Sequence, residues 1–210
     1  MRRICIIALL VILPGQITAM EAAAAATDAT AIRPIAVGST LPAAGIQTID
    51  GDQTTLQEAL GGAPHLLIVY RGGWCPYCNA HLGAVAGIAE ELQAAGVSLI
   101  ALAPDSPGTL QAGREAGDLA PGITYLSDAE AAAIRALGLA FTVDADTRER
   151  YRGYGIDLEA ASGHDHHLLP VPAVLLSDAE GVVRFVHPDP DYKRRLDPQV
   201  ILALARSLGR

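Results

Sequence analysis

Two cysteines stand three positions apart in the stretch YRGGWCPYCNAHL, residues 70–82, and their side chains are the ones best suited to chemistry in this chain. Cys75 and Cys78 flank the dipeptide Pro76-Tyr77, and Trp74, the single tryptophan of the sequence, comes directly before them. A CxxC pair can serve as a structural disulfide, as half of a metal site, or as a redox centre that cycles between dithiol and disulfide.

The spacing of the pair weighs against the first two uses. A disulfide across two intervening residues closes a very short loop, so it removes little freedom from the unfolded chain. A structural zinc site normally needs four ligands, and one CxxC supplies two. His164, His166 and His167 of the run GHDHH are candidates for the others, although a polar run between predicted strands is typical of a solvated loop. Of the three uses of the CxxC pair, a redox centre is therefore the one that the sequence favours.

The N-terminal residues 1–19 have the pattern of a secretory signal peptide. A cationic start, an apolar run of about ten residues and an exit of small residues ending at Ala19 follow one another. The run is too short for a helix to cross a bilayer, so we expect no stable membrane span once the signal is removed. The third cysteine, Cys5, lies in this segment. The pattern predicts a periplasmic or secreted protein, with residues 20–35 as an alanine-rich flexible tether.

Composition limits the architecture and the partners. The chain has 210 residues, of which 50% are hydrophobic, and this suits one folded domain over residues 36–210. Loss of Arg2 and Arg3 with the signal takes the formal charge from −8 to −10. So acidic a chain argues against nucleic acid and anionic membranes as partners. No cofactor is expected.

Strand and helix patterns alternate from residue 35 onward. Continuous apolar runs at 65–70 and 97–103 predict buried central strands, and AVLLSDAEGVVRFVH predicts two strands joined by a turn at 178–181. Five helices are predicted: a short one over 54–60, one over 76–95, one near 106–117, one opened by a capping box at Ser127 and ended by Gly138, and one from Asp197 onward. The order predicts an α/β fold with a mixed sheet flanked by helices.

This order places the two cysteines where a strand ends and a helix begins. Unpaired backbone N–H groups and the helix dipole stabilise an anion at that point, and in CxxC contexts they lower a thiol pKa from about 8.5 to about 3.5–7.5. Because only the thiolate attacks disulfides or peroxides, the placement favours a reactive sulfur. Helix geometry further favours Cys75 as the first nucleophile, since its sulfur lies nearer the unpaired N–H groups.

The segments together resemble a known family. WCPYC is similar to the active site of the thioredoxin superfamily, and Pro76-Tyr77 is typical of glutaredoxins. The wider frame of VGSTLP at residues 37–42, YRGGWCPYC and VPAVLLSDAEGVVRF resembles the peroxiredoxin-like branch of the alkyl hydroperoxide reductase/thiol-specific antioxidant (AhpC/TSA) family. The resemblance covers residues 37–208 and implies a thioredoxin fold with an N-terminal extension.

The resemblance also implies roles for several residues. A proline before the strand that feeds the hairpin is cis in thioredoxin-like proteins, packs against the CxxC and lies beside backbone that pairs with a substrate chain, and Pro172 after Val171 fits by position. Trp74, Pro76 and Tyr77 are the other expected substrate contacts. In the thioredoxin arrangement Cys75 is exposed to a client disulfide, and Cys78 is shielded one turn inward.

The sequence departs from the peroxiredoxin pattern Pro-x-x-x-Thr-x-x-Cys. Its cysteine falls on Cys78, but the threonine position holds Cys75 and the proline position holds Arg71. The arginine expected just before the late strand is also absent. Possible substitutes for it are Arg71, Arg148, Arg150 and Arg152.

These observations predict an exported thiol-disulfide oxidoreductase that cycles Cys75 and Cys78 between dithiol and disulfide. Its partners would be disulfide-containing client proteins and a thiol reductant or oxidant. One alternative is a thiol peroxidase acting on hydroperoxides, with Cys78 as the peroxidatic and Cys75 as the resolving residue. Another is a copper-handling protein that combines the CxxC with the loop His164–His167, since thiolates suit cuprous ion.

Overall fold

A computed structural model describes residues 24–208 of the chain. Its centre is a seven-stranded mixed sheet with strand order β2-β1-β5-β4-β3-β8-β9, and a two-stranded sheet pairs β6 with β7. The strands are β1 (Gly45–Thr48), β2 (Gln53–Thr55), β3 (His65–Val69), β4 (Ser98–Ala103), β5 (Thr124–Ser127), β6 (Ala140–Thr142), β7 (Leu168–Pro170), β8 (Ala173–Ser177) and β9 (Val183–Pro188).

The helices cover both faces of the large sheet. They are α1 (Leu56–Ala59), α2 (Pro76–Ala86), α3 (Ala89–Ala94), α4 (Pro107–Ala116), α5 (Ala132–Ala136), α6 (Ala145–Gly153), α7 (Leu158–Ser162) and α8 (Pro198–Leu208). In β3, Leu66 and Ile68 belong to the core beneath α2, α3 and α8, whereas Leu67 and Val69 belong to the core on the opposite face. Burial on both faces explains why β3 is a continuous apolar run.

The direction of the central strands determines where a site can form. β3 pairs parallel to β4, and β4 pairs parallel to β5, so the carboxyl ends of all three strands meet at one edge of the sheet. β8 and β9 extend the sheet in antiparallel fashion on the other side of β3. The chain leaves β3 at this edge and enters α2 through the CxxC, which is the usual position for ligands in open α/β sheets.

The mixed sheet, the two buried central strands, the hairpin β8–β9 and the C-terminal helix confirm the predicted fold class. The helix predicted over 76–95 is divided into α2 and α3 near Gly87. The capping box at Ser127 is wrong, because Ser127 ends β5 and its hydroxyl donates to the Asp105 carbonyl oxygen. Asp128 accepts from the N–H groups of Ala133 and Ile134 instead, and α5 begins at Ala132.

The predicted tether needs a correction over its described part, residues 24–35. This segment lies on the fold: the Ala26 N–H donates to the Ala140 carbonyl oxygen, and the Ile35 N–H donates to that of Leu137. Its apolar side chains, Ile32 and Ile35 among them, pack against the core. The predicted signal, residues 1–19, lies outside the described residues. Within residues 24–208 no helix has both the length and the apolar character needed to cross a bilayer.

Candidate active site

A tight turn carries the chain from β3 to the redox pair. Gly72 has φ +143, and a Cβ atom there would lie 2.7 Å from Asp105 Oδ1 and would also overlap the Trp74 ring. Only glycine fits this conformation and this space. The turn closes with a hydrogen bond from the Cys75 N–H to the Gly72 carbonyl oxygen (3.1 Å), which makes Cys75 the N-cap of α2.

Both cysteines are free thiols, and both are buried, with 1% of each residue exposed. The burial of Cys78 agrees with the expectation from the family resemblance, but the exposure expected of Cys75 is wrong. Residues 189–197, here called the C-terminal cover, contact the redox site at several points. Tyr192 packs edge-on against Tyr77 with 5.7 Å between ring centroids, and Arg195 lies beside the sulfur of Cys78.

The two sulfurs differ in their affinity for a proton. Hydrogen bonding from the Cys78 thiol, with smaller contributions from its backbone N–H and from Arg71 and Arg195, lowers the pKa of Cys75 to about 6 despite burial. Cys78 retains its proton, because its hydrogen bond to Cys75 and its burial raise its pKa. Since the Cys75 side chain makes no regular N-cap hydrogen bond, its thiolate depends mainly on the second cysteine. Cys75 is therefore the thiolate of the pair at neutral pH.

An arginine that the sequence did not single out lies against the inner sulfur. Arg195 Nη2 donates to Cys78 Sγ at 3.4 Å. On its own this contact would favour a thiolate on Cys78, which opposes the proton distribution just described. We assign the thiolate to Cys75, because the hydrogen bond between the two thiols and the burial of Cys78 raise the pKa of Cys78 more strongly than the arginine lowers it. The run Lys193-Arg194-Arg195 in an otherwise acidic chain was the available sequence signal.

Arg71 is held behind the pair by aromatic rings. The residue is buried, and its guanidinium carbon lies 5.0 Å from the ring centroid of Trp74, 5.4 Å from that of Tyr151 and 4.3 Å from that of Tyr192. It also donates to the Tyr151 hydroxyl. Cation–π contacts of this kind fix the guanidinium, and its charge contributes to the lowered pKa of Cys75. Of the four candidate arginines, Arg71 is the one that the structure places at the site.

The other three candidates lie on α6. Arg150 donates to the Thr147 hydroxyl, and Arg152 pairs with the carboxylates of Glu149 and Glu159. Arg148 has a buried Nε without a hydrogen-bond partner. Among the hydrogen bonds of residues 24–208, none joins these three arginines to a cysteine.

Asp105 supports the turn from the end of β4. Its Oδ2 accepts the Gly73 N–H at 2.7 Å, and burial raises the pKa of its carboxyl to about 7. His81, one turn after Cys78, is a second buried polar residue. Its Nε2 lies 3.2 Å from the Leu196 carbonyl oxygen, and burial lowers its pKa to about 4, so the ring is neutral at pH 7 and donates to that oxygen. Sequence patterns did not identify either residue.

The predicted substrate contacts fall into two groups. Pro76 and Tyr77 are exposed and Trp74 is half-buried beside the pair, so all three can meet a substrate. Val171 is fully buried, and its N–H donates to the Leu139 carbonyl oxygen. Pro172 lines a crevice with Cys78, as expected, but its carbonyl oxygen accepts the Asp189 N–H.

The backbone around Pro172 therefore differs from the expected arrangement. Residues 24–208 contain no cis peptide bond, so the Val171–Pro172 bond is trans and the expectation of a cis proline is wrong. Since the Val171 N–H and the Pro172 carbonyl already have partners within the chain, neither is free to pair with a substrate strand.

The histidine loop is organised by its own hydrogen bonds. His166 uses both ring nitrogens on backbone groups, and its ring stacks on that of His164. His167 Nε2 lies 2.6 Å from a carboxylate oxygen of Glu159. Over the described residues, no group of three His, Cys, Asp or Glu side chains is placed to hold a metal ion. The copper-handling alternative thus has no support in the described geometry.

Comparison with known proteins places these features in a family. The model of the AhpC/TSA family matches residues 37–186, a span that includes the redox pair, Arg71, Asp105 and Pro172. The comparison with curated proteins found no match.

Solved structures share the fold. Reduced Prx3 of Vibrio vulnificus in complex with hydrogen peroxide is 24% identical, covers 81% of this chain and 99% of its own, and has a TM-score of 0.65. Oxidized Prx3 of the same organism is 26% identical, with coverage of 80% and 98% and a TM-score of 0.63. A thiol peroxidase of Chromobacterium violaceum is 20% identical, with coverage of 87% and 90% and a TM-score of 0.62.

Proposed function

Because this chain belongs to the AhpC/TSA family of thiol-based oxidoreductases, we propose that Cys75 and Cys78 form its redox centre and cycle between two thiols and a disulfide. One observation carries the proposal: the pKa of Cys75 is lowered to about 6, whereas the neighbouring Cys78 keeps its proton. At pH 7 a thiol with that pKa is about 90% thiolate, whereas an unperturbed cysteine is only a few per cent thiolate.

Thiol-disulfide exchange follows from this arrangement. The Cys75 thiolate attacks one sulfur of a substrate disulfide, whose S–S bond breaks, and the departing sulfur leaves as a thiolate that takes up a proton. Cys78 then loses its proton and attacks the Cys75 sulfur of the mixed disulfide, which releases the second substrate thiol. The substrate gains two electrons and the pair becomes a disulfide. A thiol reductant returns the two electrons in the next half-cycle.

The C-terminal cover limits which substrates reach the pair. Since both cysteines are 1% exposed, a protein disulfide contacts Cys75 only after the residues around the pair move, and residues 189–197 lie against Tyr77 and Cys78. Exposed Tyr77 and half-buried Trp74 then form the rim that such a substrate meets. Arg71 and Arg195 act as positioning residues. The charge of Arg195 lowers the pKa of both sulfurs, and Arg71 lowers that of Cys75 by its charge and that of Cys78 by a backbone hydrogen bond.

A second candidate function is reduction of hydroperoxides at Cys78. The observation in its favour is Arg195 Nη2 at 3.4 Å from Cys78 Sγ, together with the peroxiredoxin fold of the structural neighbours. Ionised Cys78 would attack the terminal peroxide oxygen, the O–O bond would break, and an alcohol or water would leave, giving a sulfenic acid. Attack by Cys75 would then release water and form the same disulfide.

We also propose that the enzyme acts outside the cytoplasm. The proposal rests on the signal-peptide pattern of residues 1–19. An oxidising compartment suits a redox pair whose disulfide form must persist between encounters.

The experiment compares two oxidants on one protein. The fully reduced Cys5→Ser protein is mixed with stoichiometric hydroxyethyl disulfide or hydrogen peroxide, and loss of two hydrogens is followed by mass spectrometry. The proposal predicts faster oxidation by the disulfide. If peroxide oxidises the pair rapidly while the disulfide leaves it unchanged, the peroxidase function replaces it, and if neither reagent joins the two sulfurs, the redox centre itself is refuted.

A further inference from the structure

Two positively charged side chains at the redox pair have no carboxylate partner. Arg71 is buried, with 4% of the residue exposed, and Arg195 is partly exposed in the C-terminal cover. Among the ion pairs of the described residues, none includes either of them. The Arg71 side chain donates to the Tyr151 hydroxyl, and that of Arg195 donates to Cys78 Sγ and to the Arg194 carbonyl oxygen. These partners are uncharged while Cys78 keeps its proton.

In the reduced protein the Cys75 thiolate is the counter-ion of both arginines. The charge of each guanidinium lowers the pKa of Cys75. The effect is mutual, because an arginine that stabilises a thiolate is stabilised by it to the same extent. Oxidation to the disulfide removes this negative charge, since a disulfide sulfur does not ionise. The oxidised site therefore holds two positive charges without the anion that balanced them before.

The nearby carboxylates do not replace that anion. Burial raises the pKa of the Asp105 carboxyl to about 7, so only about half of it is charged at pH 7. Asp189 is paired with Arg194 at 3.4 Å. Asp191 and Asp197 of the cover are exposed and accept backbone N–H groups, and water and salt screen exposed charges strongly. The oxidised site thus keeps an excess of positive charge in an otherwise acidic chain.

We propose that the reductant of this enzyme is a small thiol that carries a carboxylate, and that Arg195 holds this carboxylate while the thiol sulfur reacts. The inference rests on the proposed function, since it concerns the half-cycle in which the disulfide is reduced. Arg195 lies at the reacting sulfurs, because its Nη2 is 3.4 Å from Cys78 Sγ and an S–S bond is only about 2 Å long. A small reductant also suits two cysteines that are each 1% exposed.

The reduction consumes two thiols. The first, as its thiolate, attacks the Cys75 sulfur, the bond between Cys75 and Cys78 breaks, and Cys78 leaves as a thiolate that takes up a proton. The second thiolate attacks the reductant sulfur of the mixed disulfide, and Cys75 leaves as a thiolate. The two reductant molecules become one disulfide, and the redox pair gains two electrons. The regenerated Cys75 thiolate is again the counter-ion of the arginines.

The test compares three reductants that differ in charge. Oxidised Cys5→Ser protein is mixed with 3-mercaptopropionate, 2-mercaptoethanol or cysteamine at pH 7.5 in 0.1 M salt, and the gain of two hydrogens is followed by mass spectrometry. Each rate is expressed per thiolate present and divided by the rate at which the same thiol reduces hydroxyethyl disulfide, which removes differences in intrinsic reactivity. A unit charge a few ångströms away changes a rate several-fold. We expect the anionic thiol to exceed the cationic one at least about tenfold, with the neutral thiol between them.

Variants assign the preference to Arg195. Arg195→Met removes the charge and should lower the ratio of anionic to cationic rates about three- to tenfold, whereas Arg195→Lys should keep most of it. A change in the pKa of either cysteine affects all three thiols alike, so the ratio reports only how the site responds to the charge of the reductant. Arg184→Met is the matched control. Arg184 lies near the start of β9, at the opposite end from the cover, and pairs with Asp178, so its loss should leave the ratio unchanged.

The outcomes separate this inference from the proposed function. If no disulfide forms between the two cysteines beforehand, the proposed function fails and the inference with it. If the disulfide forms but the three normalised rates are equal, or cysteamine is the fastest, only the anionic reductant is refuted. The inference is also overturned if the preference is unchanged in Arg195→Met, or if it persists in 1 M salt, where charges are screened beyond about 3 Å.

Discussion

Removal of the Cys78 thiol should raise the pKa of Cys75, because that thiol is the largest of the groups that stabilise the Cys75 thiolate. The fall from 9.0 to about 6 corresponds to about 4 kcal/mol in favour of the thiolate. A hydrogen bond to a charged group contributes about 1.5–3 kcal/mol, or about one to two pKa units. The Cys78→Ala variant should therefore titrate at about 7–8.

The matched variant is Cys78→Ser, which keeps an O–H donor at the same position and should leave the pKa of Cys75 nearer 6. Both variants carry Cys5→Ser, so that the ultraviolet absorbance of the thiolate comes from Cys75 alone. Absorbance is recorded against pH, with circular dichroism at each pH to show that the fold persists. In both proteins the thiolate should appear as the pH rises through the pKa.

Two results would refute the reasoning. If Cys78→Ala still titrates near 6, the second sulfur is not the donor, and the arginines or the helix terminus must stabilise the thiolate. If Cys78→Ala and Cys78→Ser both titrate near 8, a donor at this position does not set the pKa of Cys75.

Three further predictions concern the cover and the fold. Arg195→Met should raise the pKa of Cys75 by less than Cys78→Ala does, because Arg195 is the smallest of the lowering influences; a larger rise in the same titration would contradict this ranking. Gly138→Ala should lower the free energy of unfolding in urea by several kcal/mol. Gly138 has φ +67, and a Cβ atom there would overlap the Arg33 carbonyl of the N-terminal segment. The control Gly117→Ala, at φ +78 with free space, should cost only about 1 kcal/mol, and equal losses would show that the N-terminal segment does not pack there. Leu102→Ala, in a fully buried strand position, should cost about 2–5 kcal/mol, and similar losses from half-exposed Val200→Ala would contradict the assigned core.

The parts of the fold that sequence predicted well are those in which local pattern and burial agree. β3 and β4 are buried on both faces and appear as unbroken apolar runs, and the hairpin β8–β9 is marked by its turn at Asp178 to Gly181. The CxxC could be placed at a helix start because Gly72 and Gly73 end the strand signal and Pro76 opens α2. These signals lie within a few residues of the element that they specify.

The elements that were missed have weaker local patterns. β6 and β7 are three residues long and are held by each other and by the segment at Ala26, which sequence treated as tether. Ser127 was expected to cap a helix, but pairing of β5 with β4 extends the strand through it, and the Asp128 carboxylate accepts the N–H groups of Ala133 and Ile134 at the start of α5. In both cases a contact distant in sequence overrode a local preference.

The same distinction applies to the active site. The two cysteines and Trp74 were found because their types and spacing are specific. Arg195 reaches Cys78 across 117 positions of sequence and Asp105 reaches Gly73 across 32, so neither contact has a local pattern. The burial of Cys75 likewise depends on the tertiary fold, because the residue belongs to a core cluster drawn from elements far apart in sequence.

The most direct test of the account is the identity of the sulfur that attacks first. Reduced Cys75→Ser and Cys78→Ser proteins, each with Cys5→Ser, are mixed with a disulfide-containing peptide, and the adducts are located by mass spectrometry. We expect Cys78→Ser to form a mixed disulfide at Cys75, because that sulfur is the thiolate at neutral pH, and Cys75→Ser to react far more slowly. If Cys78 in the Cys75→Ser protein reacts first, while Cys78→Ser stays inert to the peptide, the assignment of Cys75 as the nucleophile is wrong.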